Sequence, residues 1–371
     1  MLQKKKYNLG VVGLGEGRSI MSAAIQSDQW ELYKVCDLNE ALCKERKKEF
    51  DFPNWTTNYN ELLEDPNIDV VAIYTPDQLH ALHLKQALEA GKHVICTKPL
   101  VVSLDQAKEL MELSQKTNKR VFVGQSSRFF EPMIWQRKDY EAGRHGEFQT
   151  IDSHYITDAR WFLERSWTKE KDFSWMYNFL IHPVDLVCWY MPNITEVVGY
   201  GSVSNNSLEY GVEAFDNMRF LLRDDENHMA TISGNYTLPT LGRDAESSVE
   251  CTIRGSLGTS RSEYLNLHYH THFQGEGKKK HTFEEKHGYY FRFEGESHHA
   301  GEYQNYIEYF ADCLDNNELP LPDIKQGLHT IAVMEAMRKS ALEQGKIIKI
   351  KDILEEYDID PYYHGEAFSI K

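Results

Sequence analysis

The sequence predicts an α/β chain in two parts: a doubly wound parallel sheet, then an α+β domain with an open, mostly antiparallel sheet. Three observations carry this. In the first third, apolar runs of strand length alternate with segments of helix length, the rhythm of strand–helix units joined by right-handed crossovers. After about Gln125 the rhythm changes to alternating runs separated by turn residues such as D-D-E-N and G-S-L-G, an antiparallel signature. And 371 residues exceed one ordinary core, so a division into 1–126 and 127–371 is expected.

In chain order, the apolar run Leu9, Val11, Val12 ends in the turn of Gly13, Gly15 and Gly17, and a helix follows over Ser19–Gln26. A second strand at Trp30–Cys36 leads to a helix over Glu40–Glu49 that ends near Pro53, and Tyr59–Leu63 starts a short helix stopped by D-P-N. Ile68–Tyr74 is a nearly continuous apolar strand, as expected when both sheet faces are covered. It is ended by Thr75-Pro76 and followed by an amphipathic helix, Leu79–Ala90, closed by Gly91. His93–Thr97 is the next strand; Ser103 is expected to cap a helix running to Asn118, before a strand at Arg120–Gly124. Beyond a helix over Pro132–Ala142, strands are expected at Phe148–Ile156, Ile194–Val203, Phe215–Leu222, His228–Tyr236, Ser248–Gly255 and Leu265–His272. Helices are expected at Leu180–Tyr190, Glu302–Asn316 and Ile324–Gln344, an exposed loop or hairpin tip at Gly275–Lys286, and an extended tail in the last dozen residues.

The order strand, glycine turn, helix is the arrangement in which a pyrophosphate approaches bare backbone amides at a helix N-terminus. Gly13, Gly15, Glu16 and Gly17 form that turn, with Gly17 one residue earlier than the usual spacing and Arg18 where a glycine would stand. Asp37 follows Gly17 by twenty residues, at the end of the second strand. A carboxylate there accepts both ribose hydroxyls of NAD and repels a 2′-phosphate, so NAD is expected over NADP. Arg18 either faces the pyrophosphate or is a solvated first-turn arginine.

Composition excludes several classes. Acidic residues outnumber basic ones, 57 to 41, for a formal charge of −16, which argues against nucleic acid and anionic membranes as partners. No apolar stretch approaches the roughly 18–20 residues of a membrane helix, and the basic run Lys4–Lys6 has no apolar segment behind it. The six cysteines form no C-x-x-C pair, and Cys36, Cys96 and Cys188 lie in apolar runs; a reduced, cytoplasmic protein is expected.

The run A-L-E-A-G-K-H-V-I-C-T-K-P-L (87–100) stands between T-P-x-x-x-H (Thr75, Pro76, His80) and V-G-x-x-x-R-F (Val123, Gly124, Arg128, Phe129). With F-D-N-M-R-F-L-L (215–222), R-G-S-L-G-T (254–259) and A-V-M-E-A-M-R-K-S-A (332–341), it resembles the glucose–fructose oxidoreductase / inositol dehydrogenase family, Gfo/Idh/MocA, over nearly the whole chain. The resemblance implies a Rossmann domain with NAD(P) at the strand ends, an open-faced α+β domain, and a sugar or cyclitol substrate. It implies that Lys98 is the lysine of an E-K-P motif, here preceded by Thr97, with a cis peptide at Lys98-Pro99. His182 matches the family's general base and Asn178 the position of its supporting aspartate. Residues four apart share a helix face, so Asn178 and His182 are expected to meet; a neutral amide orients an imidazole and does not stabilise an imidazolium as a carboxylate does. Asp185 is either a substitute partner or a structural group.

The mechanism implied is hydride transfer from a secondary C–OH, with Lys98 polarising the oxygen and His182 taking the proton. Gln125, after the last parallel strand, is a candidate contact for nicotinamide or ribose. Arg128 either binds substrate oxygens or pairs with a carboxylate. Tyr155, Trp161, Trp175, Tyr177 and Tyr236 are candidates for an aromatic wall against a sugar ring. His80 is a candidate for lining the cofactor cleft. His268, His270 and His272 alternate, which puts them on one side of a strand; no carboxylate or cysteine completes them in the sequence, so no metal is expected, and His298-His299 and His80/His83 are read the same way. A homodimer or homotetramer is expected, formed over the apolar residues of Phe215–Leu222 and Met229–Tyr236. The leading expectation is an NAD-dependent sugar or cyclitol dehydrogenase. A non-catalytic NAD-binding sensor and an NAD-retaining glycoside-cleaving enzyme are the alternatives.

Overall fold

The computed structural model describes residues 6–242, 245–293 and 299–359, so the tail expected in the last dozen residues, most of the Lys4–Lys6 run and His298 lie outside the described residues. The chain forms two compact units. The first comprises Met1–Phe129, Gly288–Ile331 and Tyr357–Lys371; the second comprises Phe130–His287 and Ala332–Glu356. This differs from a single division at 126/127, because the chain returns to the first unit. The cause is the helix Gly301–Asp315, whose buried Tyr306, Ile307, Phe310 and Ala311 share one apolar cluster with Leu9, Trp30 and Phe122. The Trp30 indole N–H donates to the Ile307 carbonyl at 2.9 Å.

In the first unit six strands make one parallel sheet: β1 (Tyr7–Val12), β2 (Trp30–Cys36), β3 (Asn54–Thr56), β4 (Val70–Ile73), β5 (His93–Thr97) and β6 (Val121–Gly124). Their order is β3-β2-β1-β4-β5-β6. All four residues of β4 are buried, which is why its sequence reads as one apolar run. Strand order reverses between β1 and β4, and ligands of such sheets bind outside the carboxyl ends of the strands at that switch. The edge strand β3 was not expected; three residues show no periodicity. Ser103 does not cap the next helix, which begins at Ala107 after Gln106; its hydroxyl accepts the Asp105 N–H instead, closing a turn.

Among the described residues the second unit holds nine strands: β7 (Phe148–Ile156), β8 (Ile194–Ser202), β9 (Asn217–Asp224), β10 (Met229–Asn235), β11 (Val249–Gly255), β12 (Gly258–Glu263), β13 (His268–Phe273), β14 (Lys279–Thr282) and β15 (Ile348–Lys349). The order is β14-β13-β12-β11-β7-β10-β9-β8-β15, antiparallel except for β7 beside β10. The stretch expected as an exposed loop or hairpin tip at 275–286 contains the edge strand β14, which forms a hairpin with β13 and whose Lys279 and Lys280 suit an unpaired edge. The alternation in β9 and β10 turns Met218, Phe220, Leu222, Ala230 and Ile232 inward, where they are buried within the unit. The outer face therefore carries Arg219, Leu221, Arg223, Met229 and Thr231, more polar than the sequence alone suggested. All six cysteines are unbridged and buried. Among the described residues no helix is long and apolar enough to cross a membrane.

Candidate active site

The glycine turn is built by what its residues lack. Gly13 has φ +85°, and a Cβ there would stand 2.3 Å from the Tyr74 carbonyl oxygen at the end of β4. A Cβ on Gly17 would stand 2.2 Å from the Gly13 carbonyl oxygen. Both are required by the fold itself. A Cβ on Gly15 would meet nothing within 4 Å, so its bare backbone faces open space. Gly17 caps the helix Arg18–Ile25, whose Arg18 and Ser19 N–H groups donate to the Gly15 and Glu16 carbonyls at 3.3 and 3.2 Å and close the turn. Asp37 braces the turn: Oδ2 accepts the Leu14 N–H at 2.9 Å and Oδ1 accepts the Asn39 N–H at 2.8 Å. Arg18, expected either at the pyrophosphate or in solvent, is partly buried here. It ion-pairs with Glu49 at 2.6 Å and lies 4.1 Å from the Phe293 ring centre. Arg46 binds the other oxygen of Glu49 at 2.9 Å. This cradle fits a dinucleotide: open space at Gly15, a helix N-terminus behind it, and a carboxylate just past the end of β2.

Around the ends of β4 and β5 the side chains bond to backbone. Thr75 is half-buried and Pro76 exposed. His80 is fully buried, with Nδ1 2.6 Å from the Pro99 carbonyl oxygen and Nε2 2.8 Å from the Thr75 carbonyl oxygen. His80 thus ties the Thr75-Pro76 turn to the Lys98-Pro99 turn, and is a brace more than a lining. The Lys98-Pro99 peptide is cis. Lys98 is half-buried; burial pushes its ammonium below the usual lysine range, opposed by Asp77 and Glu16. Gln125 is buried with its Oε1 lacking a hydrogen-bond partner, an acceptor fit for a ligand N–H or hydroxyl. Arg128 is buried, and its Nη1 donates to Gln326 Oε1 at 2.9 Å within the same unit.

Two residues of this region were not foreseen. Tyr303, from the returning helix, is buried near Thr97 and feels the charge of Glu16. Glu302 beside it is fully buried; burial raises its carboxyl pKa, opposed by His299, whose Nδ1 is 3.0 Å from Oε1. The signal was the pair Glu302-Tyr303 at the start of an amphipathic helix, but nothing local assigns that helix to the first unit.

In the second unit His182 stands on the helix Ile181–Tyr190, buried in its first turn. The half-buried Tyr155 packs edge-on to it, ring centres 5.8 Å apart, and Tyr264 lies 6.4 Å away. Asn178 and the half-buried Tyr177 sit on a π-helical turn, Met176–Leu180, that precedes this helix. The wider turn shifts the four-residue stacking of an α-helix, a distortion often found at functional sites. The Asn178 amide Nδ2 donates to the Ser174 carbonyl at 3.0 Å. Asp185 is fully buried. The aromatic candidates separate. Tyr236 and Trp175 are fully buried and stacked at 5.2 Å, so they are interior rather than part of a wall; their hydroxyl and indole N–H lack partners. Trp161 is about half exposed.

On the outer face of the nine-stranded sheet the structure completes what the sequence left incomplete. Register places Glu263 of β12 opposite His268 of β13. Glu263, His268 and His270 bring one ligand atom each to within 4.8 Å of one another, whereas His272 is exposed and outside the group.

Comparison with known proteins agrees with both units. Residues 7–125 match the family described as "Oxidoreductase family, NAD-binding Rossmann fold", and residues 138–350 match "Oxidoreductase family, C-terminal alpha/beta domain". A dehydrogenase of a chlorinated carboxy-dihydroxycyclohexadiene from Comamonas testosteroni is 29% identical over 48% of this chain and 46% of its own length. The scyllo-inositol 2-dehydrogenase (NAD(+)) of Bacillus subtilis is 26% identical over 74% of this chain and 75% of that protein. Several curated relatives are matched over half of their length or less. A solved levoglucosan dehydrogenase, in complex with NADH and levoglucosan, superimposes with TM-score 0.80 at 21% identity, over 93% of this chain and all of that one. An oxidoreductase from Agrobacterium radiobacter, in complex with NAD+, L-tartaric acid and magnesium, gives TM-score 0.82 at 17% identity over 94% and 100%. At those identities the likeness shows the fold.

Proposed function

This chain belongs to the Gfo/Idh/MocA oxidoreductase family, and from that premise we propose that it is an NAD-dependent dehydrogenase acting on a secondary hydroxyl of a sugar, sugar derivative or cyclitol. The observation that carries the reading is Lys98: an ammonium held at the carboxyl end of β5 and depressed by burial, beside a glycine turn whose middle residue faces open space. Bound NAD supplies the hydride acceptor. Lys98 donates a hydrogen bond to the reacting oxygen and stabilises alkoxide charge as it develops. His182 takes the hydroxyl proton, and Tyr155 beside it offers an apolar face to a ring. Asn178, tethered to the Ser174 carbonyl, orients and carries no charge of its own. Asp37 favours NAD over NADP by repelling a 2′-phosphate, and Glu49 engages both nearby arginines that would otherwise receive one. The names of the inositol and levoglucosan relatives support the substrate class.

The test is NADH formation followed by absorbance across pyranoses, anhydrosugars and inositols. Sustained turnover that His182→Ala lowers by about 10²–10⁴ supports the reading. Asn178 in place of a carboxylate favours one rival, a non-catalytic NAD-binding sensor. NAD binding without turnover over the whole panel establishes that rival. We further infer a homodimer or homotetramer formed over the outer sheet face, where Tyr200, Leu221 and Met229 are exposed; a monomeric mass by light scattering at micromolar concentration overturns this.

A further inference from the structure

We propose that Glu263, His268 and His270 form a zinc site on the outer face of the second unit's sheet. The strands build it. Glu263 ends β12, and His268 and His270 alternate on β13, so antiparallel register brings all three side chains to one face. Glu263 Oε2 lies 3.1 Å from His268 Nδ1, and Glu263 Oε1 lies 3.1 Å from His270 Nε2. Two ligand atoms on a tetrahedral zinc stand about 3.3 Å apart, given bonds of about 2.0–2.1 Å. Each histidine thus stands near that spacing from one of the two Glu263 oxygens, and one ligand atom from each of the three residues lies within 4.8 Å of the others. Two imidazoles with one carboxylate suit zinc and leave its fourth position for water or an added ligand.

Support for the ligands is in place. Asn266 Nδ2 donates to Glu263 Oε2 at 3.1 Å. His268 Nε2 is 3.1 Å from Glu284 Oε1, the carboxylate–histidine arrangement that fixes the tautomer ligating through Nδ1. Glu263 itself is buried, so its carboxylate does not wander. A cavity of about 330 Å³, lined in part by Glu250, Thr252, Arg261 and His270, adjoins the cluster and gives an ion a way in.

One group opposes the ion. Arg261 Nη2 is 2.9 Å from Glu263 Oε1 and 3.5 Å from His270 Nε2. It has another place to go. Arg261 Nε has no hydrogen-bond partner and lies 3.7 Å from Glu250 Oε2, so a small swing pairs the guanidinium with Glu250 as zinc takes Glu263. Lys280 stands opposite His270 on β14. The carboxylates of Glu250, Glu263 and Glu284 stand at the cluster with Arg261 and Lys280, while Arg254, Lys278 and Lys279 line the adjoining cavity farther out.

The experiment is titration of the chelator-stripped, tag-free full chain with Zn²⁺ at neutral pH, by calorimetry and by metal analysis after dialysis, with Co²⁺ as a spectroscopic probe. One Zn²⁺ per chain is expected, with the visible spectrum of four-coordinate Co²⁺. His268→Ala and His270→Ala each weaken Zn²⁺ at least tenfold, while His272→Ala, on the same strand and exposed, leaves it unchanged. Circular dichroism of the two histidine variants confirms that the sheet persists. No saturable Zn²⁺ binding, binding that survives the double variant, or displacement by millimolar Mg²⁺ overturns the proposal.

Discussion

The glycine turn region of the first unit and the His182 region of the second are made by opposite means. In the first, backbone does the positioning. Gly13 and Gly17 let carbonyls approach to distances that no Cβ permits, and His80 bonds two carbonyls on neighbouring turns. In the second, side chains do it: His182 is set by a π-turn behind it and by the rings of Tyr155 and Tyr264 beside it. A backbone-built site is sensitive to the smallest added atom. A ring-built site tolerates volume-conserving changes and loses function when its one reacting group goes.

That contrast is open to attack. After His182→Ala, the largest expected effect is Lys98→Ala, the group set among the backbone contacts: turnover falls about 10²–10³, as for loss of one transition-state donor, with NAD affinity kept. A rise in KM with kcat unchanged would instead make Lys98 a binding group only. Next, Gly13→Ala costs about 1–3 kcal/mol in urea unfolding, since the added methyl meets the Tyr74 carbonyl at positive φ. Gly15→Ala stays within about 0.5 kcal/mol of the parent in stability and weakens NAD binding, because its methyl meets only the open space proposed for the dinucleotide. Equal destabilisation by both would show that the turn serves the fold alone. The smallest effect is in pH. Burial lowers the Lys98 pKa from the ordinary 10.5, so the required proton leaves earlier as pH rises. The alkaline limb of kcat/KM should fall below pH 10.5, and Lys98→Arg, if active, should shift that limb upward.

Much of the first sheet was legible because its signals are local. The strand over 93–97 and the helix over 59–63 were read with the bounds the structure has, since apolar runs and breakers such as D-P-N mark their own ends. The strand β12 was hidden because G-T-S-R-S-E alternates polar with polar; two of its serines are buried beneath a helix, where Ser262 donates to Gln136. Tyr236 and Trp175 looked like binding aromatics because a buried ring and a pocket ring have the same composition. Arg18 was placed on the right turn, but its ion pair with Glu49 spans thirty-one positions and lies beyond any local pattern.

By itself the sequence determined five of the six parallel strands and the helices between them, the glycine turn with Asp37 behind it, and the local settings of Lys98 and His182. Each is encoded within a few residues, by periodicity, by a missing Cβ, or by a short motif. Only the tertiary structure decided that 301–315 returns to the first core, that Arg18 and Arg128 face partners of their own unit, and that Glu263 meets His268 and His270. Helix docking and strand register are set by the joint packing of residues far apart in the chain, and that sum is not written at any one of them.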